Sequence, residues 1–348
     1  MAEGERNYGI NGAGQIGTGI LRINAERGDA GERCLPITAI TDDYLSRDKV
    51  VEGMLSDKVY GPPKVDVRTE GDDKILIGGQ VVKFANVPAD KIADWASQGV
   101  WGVFEATGSR VQAGLAEEHL TEGGAERVLI TAPSKGALNN GGAVKSLLMG
   151  FNEDDYDPES DRIVDNASCT TKSSALVVKA LDDEFGVSGV VLVTIHALTG
   201  KARRDIIAAS GLVDEISGLG FKPAPTGAKG ALAKLFPHID VAAEAYRVPT
   251  PDGSISDITL LLKSAATVEE VRAVLKLAAQ SRVLQVVDHL ESSANLIGNP
   301  SDSVVQIGEG KVSVVGGKLA RVPAGYDNGF APADAALHMM EYMDAQEG

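Results

Sequence analysis

Cysteine is nearly absent from this chain: Cys34 and Cys169 are its only two, among 348 residues. Two thiols make no disulfide framework, so a reducing compartment, the cytoplasm by default, is expected. Positive charge is also short. Thirty-three lysines and arginines face 49 acidic residues, for a net charge of −16. That balance argues against a nucleic-acid partner and against attraction to anionic membranes. A phosphate ligand would need a local cationic pocket within this acidic field. No stretch reaches the ~18 consecutive apolar residues of a membrane span, and the opening Met1-Ala2-Glu3-Gly4-Glu5-Arg6 has no apolar leader. Internal repeats and low-complexity segments are missing too, and no metal site is expected. What remains is an ordinary globular composition, 43% hydrophobic and 24% charged. At 348 residues two domains are expected.

The first third alternates short apolar runs with helical patterns, the mark of a parallel, doubly wound sheet. Strands are expected at 7–10, Ile37–Ile40, Val81–Phe84, Gly102–Glu105 and Arg127–Thr131, with helices from Gly17 to about Arg27 and over Val111–Thr121. Ser173–Glu184, Val268–Gln280 and Ala331–Glu347 carry apolar residues at helical spacing. Val190–Ile195 is almost entirely apolar and β-branched, which predicts a strand buried on both faces. Residues 199–230 predict a long glycine-rich loop. Val241–Val248 and Ser254–Leu262 are joined by Pro249-Thr250-Pro251-Asp252-Gly253, which predicts an antiparallel pair.

Gly12-x-Gly14-x-x-Gly17 follows a strand and opens a helix, the context a dinucleotide fingerprint requires. Gly12 permits the tight turn, Gly14 lets backbone approach a pyrophosphate, and Gly17 allows close helix–strand packing; the helix N-terminus then holds the phosphates. Asp42, ending the second strand, is placed to accept from ribose hydroxyls, or else is a plain turn carboxylate. Asp43 beside it would repel a 2′-phosphate, which favours NAD over NADP. Thr107-Gly108 and Thr131 follow strands at the edge where such sheets meet ligands, although each is also an ordinary turn residue.

Cys169 sits in Asn166-Ala167-Ser168-Cys169-Thr170-Thr171, just before a helical pattern. A thiol at a helix N-terminus feels the positive end of the dipole and unpaired N–H groups, both of which favour the thiolate. His196 ends an apolar run and can take the thiol proton. Either residue alone also reads as core, and the two support one another only if the fold brings them together. Together they read as covalent redox catalysis on an aldehyde. Lys201, Arg203, Arg204 and Arg247 are candidate phosphate anchors, the last within a strand pattern where an idle charge is costly.

With these residues in place, the chain resembles the phosphorylating glyceraldehyde-3-phosphate dehydrogenase family from about residue 7 to 345. Asn11-Gly-Ala-Gly-Gln-Ile-Gly17, Ser168-Cys169-Thr170-Thr171, His196-Ala-Leu-Thr199, Thr226-Gly227-Ala228, Arg247-Val-Pro-Thr-Pro251 and Tyr326-Asp-Asn328 match its segments in order. The resemblance implies a Rossmann-type NAD domain over 1–168, completed by a helix at 330–348. It also implies an α+β catalytic domain over 169–329 with a mixed, largely antiparallel sheet. Cys169 would be the nucleophile and His196 the base. Gly12, Gly14, Gln15, Ile16, Gly17, Asp42, Thr107, Gly108 and Thr131 would line the dinucleotide site, with Asn328 on the nicotinamide carboxamide. Ser168, Thr170, Thr226 and Gly227 would hold inorganic phosphate, and Thr199 and Arg247 the phosphate of the substrate.

The implied reaction converts glyceraldehyde 3-phosphate to an acyl phosphate with reduction of NAD, in a cytoplasmic homo-oligomer, a tetramer by resemblance. The match has departures. Gln15 stands for arginine, Lys172-Ser173 for Asn-Cys, and Gly325 and Gly329 for Trp and Glu; residues 200–225 diverge throughout. The divergent loop keeps rival readings open: another phospho-aldehyde such as erythrose 4-phosphate, resolution of the thioester by water, or an idle NAD-binding paralogue.

Overall fold

The computed structural model describes residues 6–200 and 222–347. They divide into two compact units, one of residues up to Ala167 plus Ala333 onward, the other Ser168–Pro332. Lys201, Arg203, Arg204 and most of the expected long loop lie outside the described residues.

In the first unit, nine strands form one sheet. They are β1 (Asn7–Asn11), β2 (Ile37–Asp42), β3 (Val67–Glu70), β4 (Lys74–Ile77), β5 (Gln80–Asn86), β6 (Val100–Glu105), β7 (Arg127–Ile130), β8 (Lys145–Ser146) and β9 (Ile163–Asp165). Their order is β3-β4-β5-β2-β1-β6-β7-β9-β8. The ladders between β5 and β8 are all parallel, and only the β3-β4-β5 edge is antiparallel. The strand order reverses between β1 and β6, the position where a doubly wound sheet opens a crevice for ligand. Central strands carry Ile10, Ile40, Val103 and Phe104 in full burial. The expected helix over Val111–Thr121 is instead two short helices, Ala113–Ala116 and Glu118–Thr121.

Between β1 and the helix α1 (Gln15–Asp29) the chain turns on Gly12, at φ 103°. A Cβ on Gly12 would lie 2.7 Å from the Thr107 nitrogen, and one on Gly17 would lie 1.9 Å from the Gly12 carbonyl oxygen. Gly14, by contrast, faces open space, with nothing within 4 Å of a Cβ. Two of the glycines are therefore demanded by the fold, and the third leaves room above the helix N-terminus.

Among the described residues, the second unit is one sheet against helices. Its strands are β10 (Val187–Ala197), β11 (Lys222–Ala224), β12 (Asp240–Val248), β13 (Ser254–Leu262), β14 (Leu284–Val287), β15 (Ser303–Gln306), β16 (Ser313–Val315) and β17 (Leu319–Tyr326). They run in the order β11-β12-β10-β13-β17-β15-β14, with β16 beside β17. The β10–β12 and β14–β15 ladders are parallel, the others antiparallel.

Three sequence expectations are corrected here. β12 and β13 do not pair; β10 lies between them, parallel to one and antiparallel to the other, so the proline-rich link is a crossover and not a hairpin. β10 is not buried on both faces: Val191 and Ile195 are 53% and 46% exposed while Leu192 and Thr194 are buried, the alternation of a one-sided sheet. The described end of the expected loop is ordered as β11 and a helix, Ala228–Leu235.

Along the inner face the chemistry changes. Leu192, Ile258, Leu260 and Val322 give way to Thr194, His196, Ser254, Ser256 and Tyr326 at one end of the strands. That polar end carries the candidate site. For the glycine turn, Gly17→Ala should cost about 3 kcal/mol in urea unfolding, because overpacking against backbone cannot relax, whereas Gly14→Ala should stay within about 1 kcal/mol. Equal losses would contradict the turn geometry.

Candidate active site

Cys169 is the first residue of a 17-residue helix, Cys169–Phe185. Ser168 caps it: its Oγ accepts from the Thr171 N–H at 3.0 Å. The chain enters the cap through Ala167 at φ 49°, a left-handed conformation that an alanine adopts only under constraint. The Asp165 carboxylate accepts the Ala167 N–H at 3.0 Å and holds that turn.

His196 and Arg247 are register partners across the parallel β10–β12 ladder, so their side chains rise from the same face. The His196 Nε2 lies 3.5 Å from the Cys169 Sγ. The thiol and imidazole that the sequence placed 27 residues apart are thus brought together. At the other ring nitrogen, Nδ1, the Ala197 carbonyl lies at 2.7 Å with the Arg247 guanidinium close by; a ring with Nδ1–H donates to the carbonyl, and the guanidinium then acts on it through charge. Arg247 also donates to the Ala197 carbonyl at 3.0 Å. The imidazole that can accept the thiol proton is the form with Nδ1–H on that carbonyl and a free lone pair at Nε2.

Charge around the sulfur is set by burial and by two cations. Burial and the neighbouring Arg247 push the His196 imidazole down to about 4, against a smaller rise from the Ala197 carbonyl. Burial likewise raises the Cys169 thiol, while Lys172, the Thr170 N–H and hydroxyl, and Arg247 each pull it back. The resting pair is therefore a neutral thiol beside a neutral imidazole, with the thiolate made as the proton moves to Nε2. Behind them Tyr326 is fully buried, its hydroxyl 2.8 Å from both Thr170 Oγ1 and Thr194 Oγ1, and its ring lies edge-on to His196 at 6.0 Å.

The remaining expected residues fall as follows. Thr226 Oγ1 accepts the Ala228 N–H at 3.2 Å, and Gly227 caps the helix Ala228–Leu235. Thr199 is exposed. Asn328 is buried, with its Oδ1 accepting from the Ser254 hydroxyl at 3.0 Å. In the first unit, the Asp42 carboxylate accepts from the N–H groups of Ala13, Tyr44 and Leu45, so it ties the glycine turn to the strand end. Thr107 donates through both N–H and hydroxyl to Glu105 Oε1. Thr131 donates to the Glu105 carbonyl. Gly108 is exposed at φ 70°. Gln15 and Ile16 open α1 and are half-buried.

A family model for the glyceraldehyde 3-phosphate dehydrogenase NAD-binding domain matches residues 6–113, and one for the C-terminal domain matches residues 168–328. Among curated proteins, the chain is 31% identical to glyceraldehyde-3-phosphate dehydrogenase 1 of Kluyveromyces lactis, over 96% of this chain and 98% of that one. It is 32% identical to the glyceraldehyde-3-phosphate dehydrogenase of Mycobacterium avium, over 92% and 93%. It is also 31% identical to the cytosolic enzyme of Pisum sativum, over 92% of each. The chain belongs to the glyceraldehyde-3-phosphate dehydrogenase family.

Membership makes it an NAD-dependent oxidoreductase, and its residues fit the cofactor. The space above Gly14 at the start of α1 admits a pyrophosphate, and the buried Asn328 Nδ2 has no hydrogen-bond partner among the described residues. Among the described residues no helix is long and apolar enough to cross a membrane.

Sequence reasoning passed over three members of this arrangement. Lys172 was noted only as a departure, yet it is 1% exposed, and its charge acts on Cys169 one turn along the helix. A lysine inside a helical apolar pattern was the available signal. Ser254 reads only as the start of a strand and Tyr326 only as the first residue of the Tyr326-Asp-Asn328 match, and the β13–β17 register, which pairs them, reveals their place. In the first unit a buried chain runs from Asn11 through Glu105 and His119 to Trp95. Burial would raise the Glu105 carboxyl, but hydrogen bonds from His119, Thr107 and Asn11 outweigh it and hold it low. The Trp95 N–H donates to His119 Nδ1, so the ring donates through Nε2 to Glu105, and the Thr107 turn rests on a fixed acceptor.

Two predictions follow from this electrostatics. Lys172→Met should move Cys169 ionisation upward and slow its alkylation by iodoacetamide about tenfold at fixed pH, roughly one pKa unit. Lys172→Arg should not, and an unchanged rate in a folded Lys172→Met variant would contradict the role. His196 binds its proton near 6.5 when unfolded and near 4 when folded. Its contribution to stability is thus complete above 6.5 and is lost as pH falls toward 4. Over that interval the wild type should lose on the order of 3 kcal/mol more than His196→Asn in urea unfolding; parallel losses would contradict the assignment.

Proposed function

We propose that this protein oxidises glyceraldehyde 3-phosphate to an acyl phosphate with reduction of NAD, through a thioester on Cys169. The observation that carries the reading is the 3.5 Å approach of the Cys169 sulfur to His196 Nε2 at the start of a capped helix. The thiol proton passes to Nε2 and from there to the aldehyde oxygen as the sulfur adds to the carbonyl carbon, which forms a hemithioacetal and leaves Nε2 free again. His196 then carries the hydroxyl proton away as a hydride leaves that carbon, and the product is a thioester. NAD, when bound, supplies the hydride acceptor. Phosphate oxygen attacks the thioester carbonyl, the C–S bond breaks, and the thiolate is regenerated with release of the acyl phosphate. One difficult oxidation becomes two easier steps.

Specificity for a phosphorylated aldehyde is assigned to Arg247 and Thr199, and the inorganic phosphate to Ser168, Thr170, Thr226 and Gly227. Arg247 is the strongest of these, since its guanidinium lies beside His196 and can fork onto a phosphate. Gly12, Gly14, Gln15, Ile16, Gly17, Asp42, Thr107, Gly108 and Thr131 are assigned to the dinucleotide, and Asn328 to its carboxamide. Residues 1–168 with 330–348 form the proposed NAD domain and 169–329 the catalytic one. The apolar outer face of β10 and β13, with Val191, Ile195 and Leu261 about half exposed, supports assembly as a homo-oligomer, with a tetramer proposed. The cytoplasm is the proposed compartment, in keeping with two free thiols.

A second reading, resolution of the thioester by water, is separated by one experiment. NADH formation from glyceraldehyde 3-phosphate should depend strictly on inorganic phosphate and fall at least 1,000-fold in Cys169→Ser, on the order of what loss of a nucleophile costs. Turnover that persists without phosphate favours water, and near wild-type activity in Cys169→Ser overturns the covalent route. Erythrose 4-phosphate in the same assay ranks the two aldehydes.

A further inference from the structure

We infer that His119 is a positioning residue for the dinucleotide: oriented by Trp95, its ring fixes the Glu105 carboxylate on which the Asn11 and Thr107 strand ends both rest. The inference rests on the proposed assignment of the glycine turn and the Thr107-Gly108 turn to NAD. Glu105 ends β6 at 1% exposure, beside the place where the strand order reverses. Its two oxygens accept four hydrogen bonds. Oε1 takes the Thr107 N–H at 2.8 Å and the Thr107 hydroxyl; Oε2 takes Asn11 Nδ2 at 2.6 Å and His119 Nε2 at 2.9 Å. That is about the full capacity of a carboxylate, roughly four lone-pair sites. Asn11 Oδ1 in turn accepts the Thr41 hydroxyl at 2.8 Å, so one carboxylate joins the ends of β6, β1 and β2. The Thr107 hydroxyl also accepts the N–H groups of Ser109 and Arg110, which shapes the turn through Gly108.

Asn11 and Thr107 belong to the strand ends themselves. His119 does not; it comes from the short helix Glu118–Thr121, and Trp95 decides which nitrogen it offers. Both rings are fully buried. The indole N–H can only donate, and it lies 2.9 Å from Nδ1, so the ring proton sits on Nε2, facing Glu105. The indole is itself pinned: a Cβ on Gly9 would lie 2.8 Å from its ring, and one on Gly123 would lie 2.5 Å from it. Burial alone would raise the Glu105 carboxyl; the His119 hydrogen bond is the largest influence against it, and the net displacement is downward. Other charges on the packed elements are engaged elsewhere. Asp42 of β2 holds the N–H groups of Ala13, Tyr44 and Leu45, and Arg110 sets its guanidinium on Glu118 and the carbonyls of Ala89 and Lys91. Arg127 of β7 pairs with Glu347, and Tyr8 of β1 packs edge-on to Trp101. Without the His119 ring, burial prevails: the carboxyl takes up a proton as pH falls, and that proton displaces a donor at the strand ends.

The test is titration calorimetry of the full chain with NAD and with ADP-ribose at about pH 6 and about pH 8, on either side of neutrality. Each variant is compared with wild type at the same pH. His119→Phe keeps a ring and removes both nitrogens. It should bind both ligands about tenfold more weakly at the lower pH and within about threefold of wild type at the higher, as loss of a hydrogen bond to a buried carboxylate requires. His119→Gln, whose amide can accept from Trp95 and donate to Glu105, should match wild type at both. A residue that only filled space would be replaced equally well by phenylalanine and would give no such pH profile. Glu105→Gln does not titrate, but its NH2 must face two donors, so it should bind about tenfold more weakly at either pH. If His119→Phe shows no cooperative unfolding, Glu105→Gln carries the decision. A folded His119→Phe that follows wild type at both pH values, or a Glu105→Gln that binds as wild type does, overturns the inference. Thr107→Val separates the two levels, since it removes the hydroxyl that shapes the turn. If it binds both ligands as wild type does, the assignment of that turn to NAD fails; if it weakens them while His119→Phe does not, the inference alone fails.

Discussion

An imidazole and a guanidinium stand side by side on adjoining parallel strands, and the charge state of the whole site follows from that alignment. Because His196 and Arg247 are register partners, the guanidinium reaches the ring and the Ala197 carbonyl beside it. Burial first, and the field of that cation second, keep the imidazole neutral, with a pKa lowered to about 4. A neutral ring can take a proton from sulfur; a charged one cannot. The same guanidinium helps the thiolate that results, since Arg247 is among the groups that lower Cys169. One strand pairing thus serves both the acid and the base of the first step.

The second constraint is where the sulfur sits. Cys169 begins a long helix whose cap is closed by Ser168, and the chain reaches that cap through a left-handed alanine tied to Asp165. The sulfur therefore has little freedom of approach, and the helix dipole points its positive end at the charge that forms. Lys172 adds a buried cation one turn on. Burial alone would leave the thiol inert; the cap, the lysine and the arginine make the thiolate reachable when the proton has somewhere to go. Reactivity here is a balance of opposed terms, each held by a different element.

The sequence made the first unit legible because its constraints are local. Gly12 and Gly17 are required by atoms within a few residues or across one strand, and a pattern of glycines reports that directly. Cys169 and His196 were legible as residue types, but their meeting depends on how β10 lies under the helix. What could not be read was pairing. The Pro249–Gly253 link looks like a hairpin because its composition is that of a turn, yet β10 takes the place between its two strands. β10 looked buried on both sides because Val190–Ile195 is almost entirely apolar, though its outer face is open in the single chain. The place of Ser254 is invisible in one dimension, since its hydrogen-bond partners Ala197 and Asn328 lie 57 and 74 residues away.

The central claim, a covalent acyl group on one sulfur, is tested most directly by mass spectrometry of the enzyme mixed with NAD and glyceraldehyde 3-phosphate in the absence of inorganic phosphate. The account predicts a mass increase of one phosphoglyceryl group on the peptide containing Cys169, which disappears when phosphate is added. NADH formed with no adduct on that peptide, or an adduct carried by another residue, would contradict it.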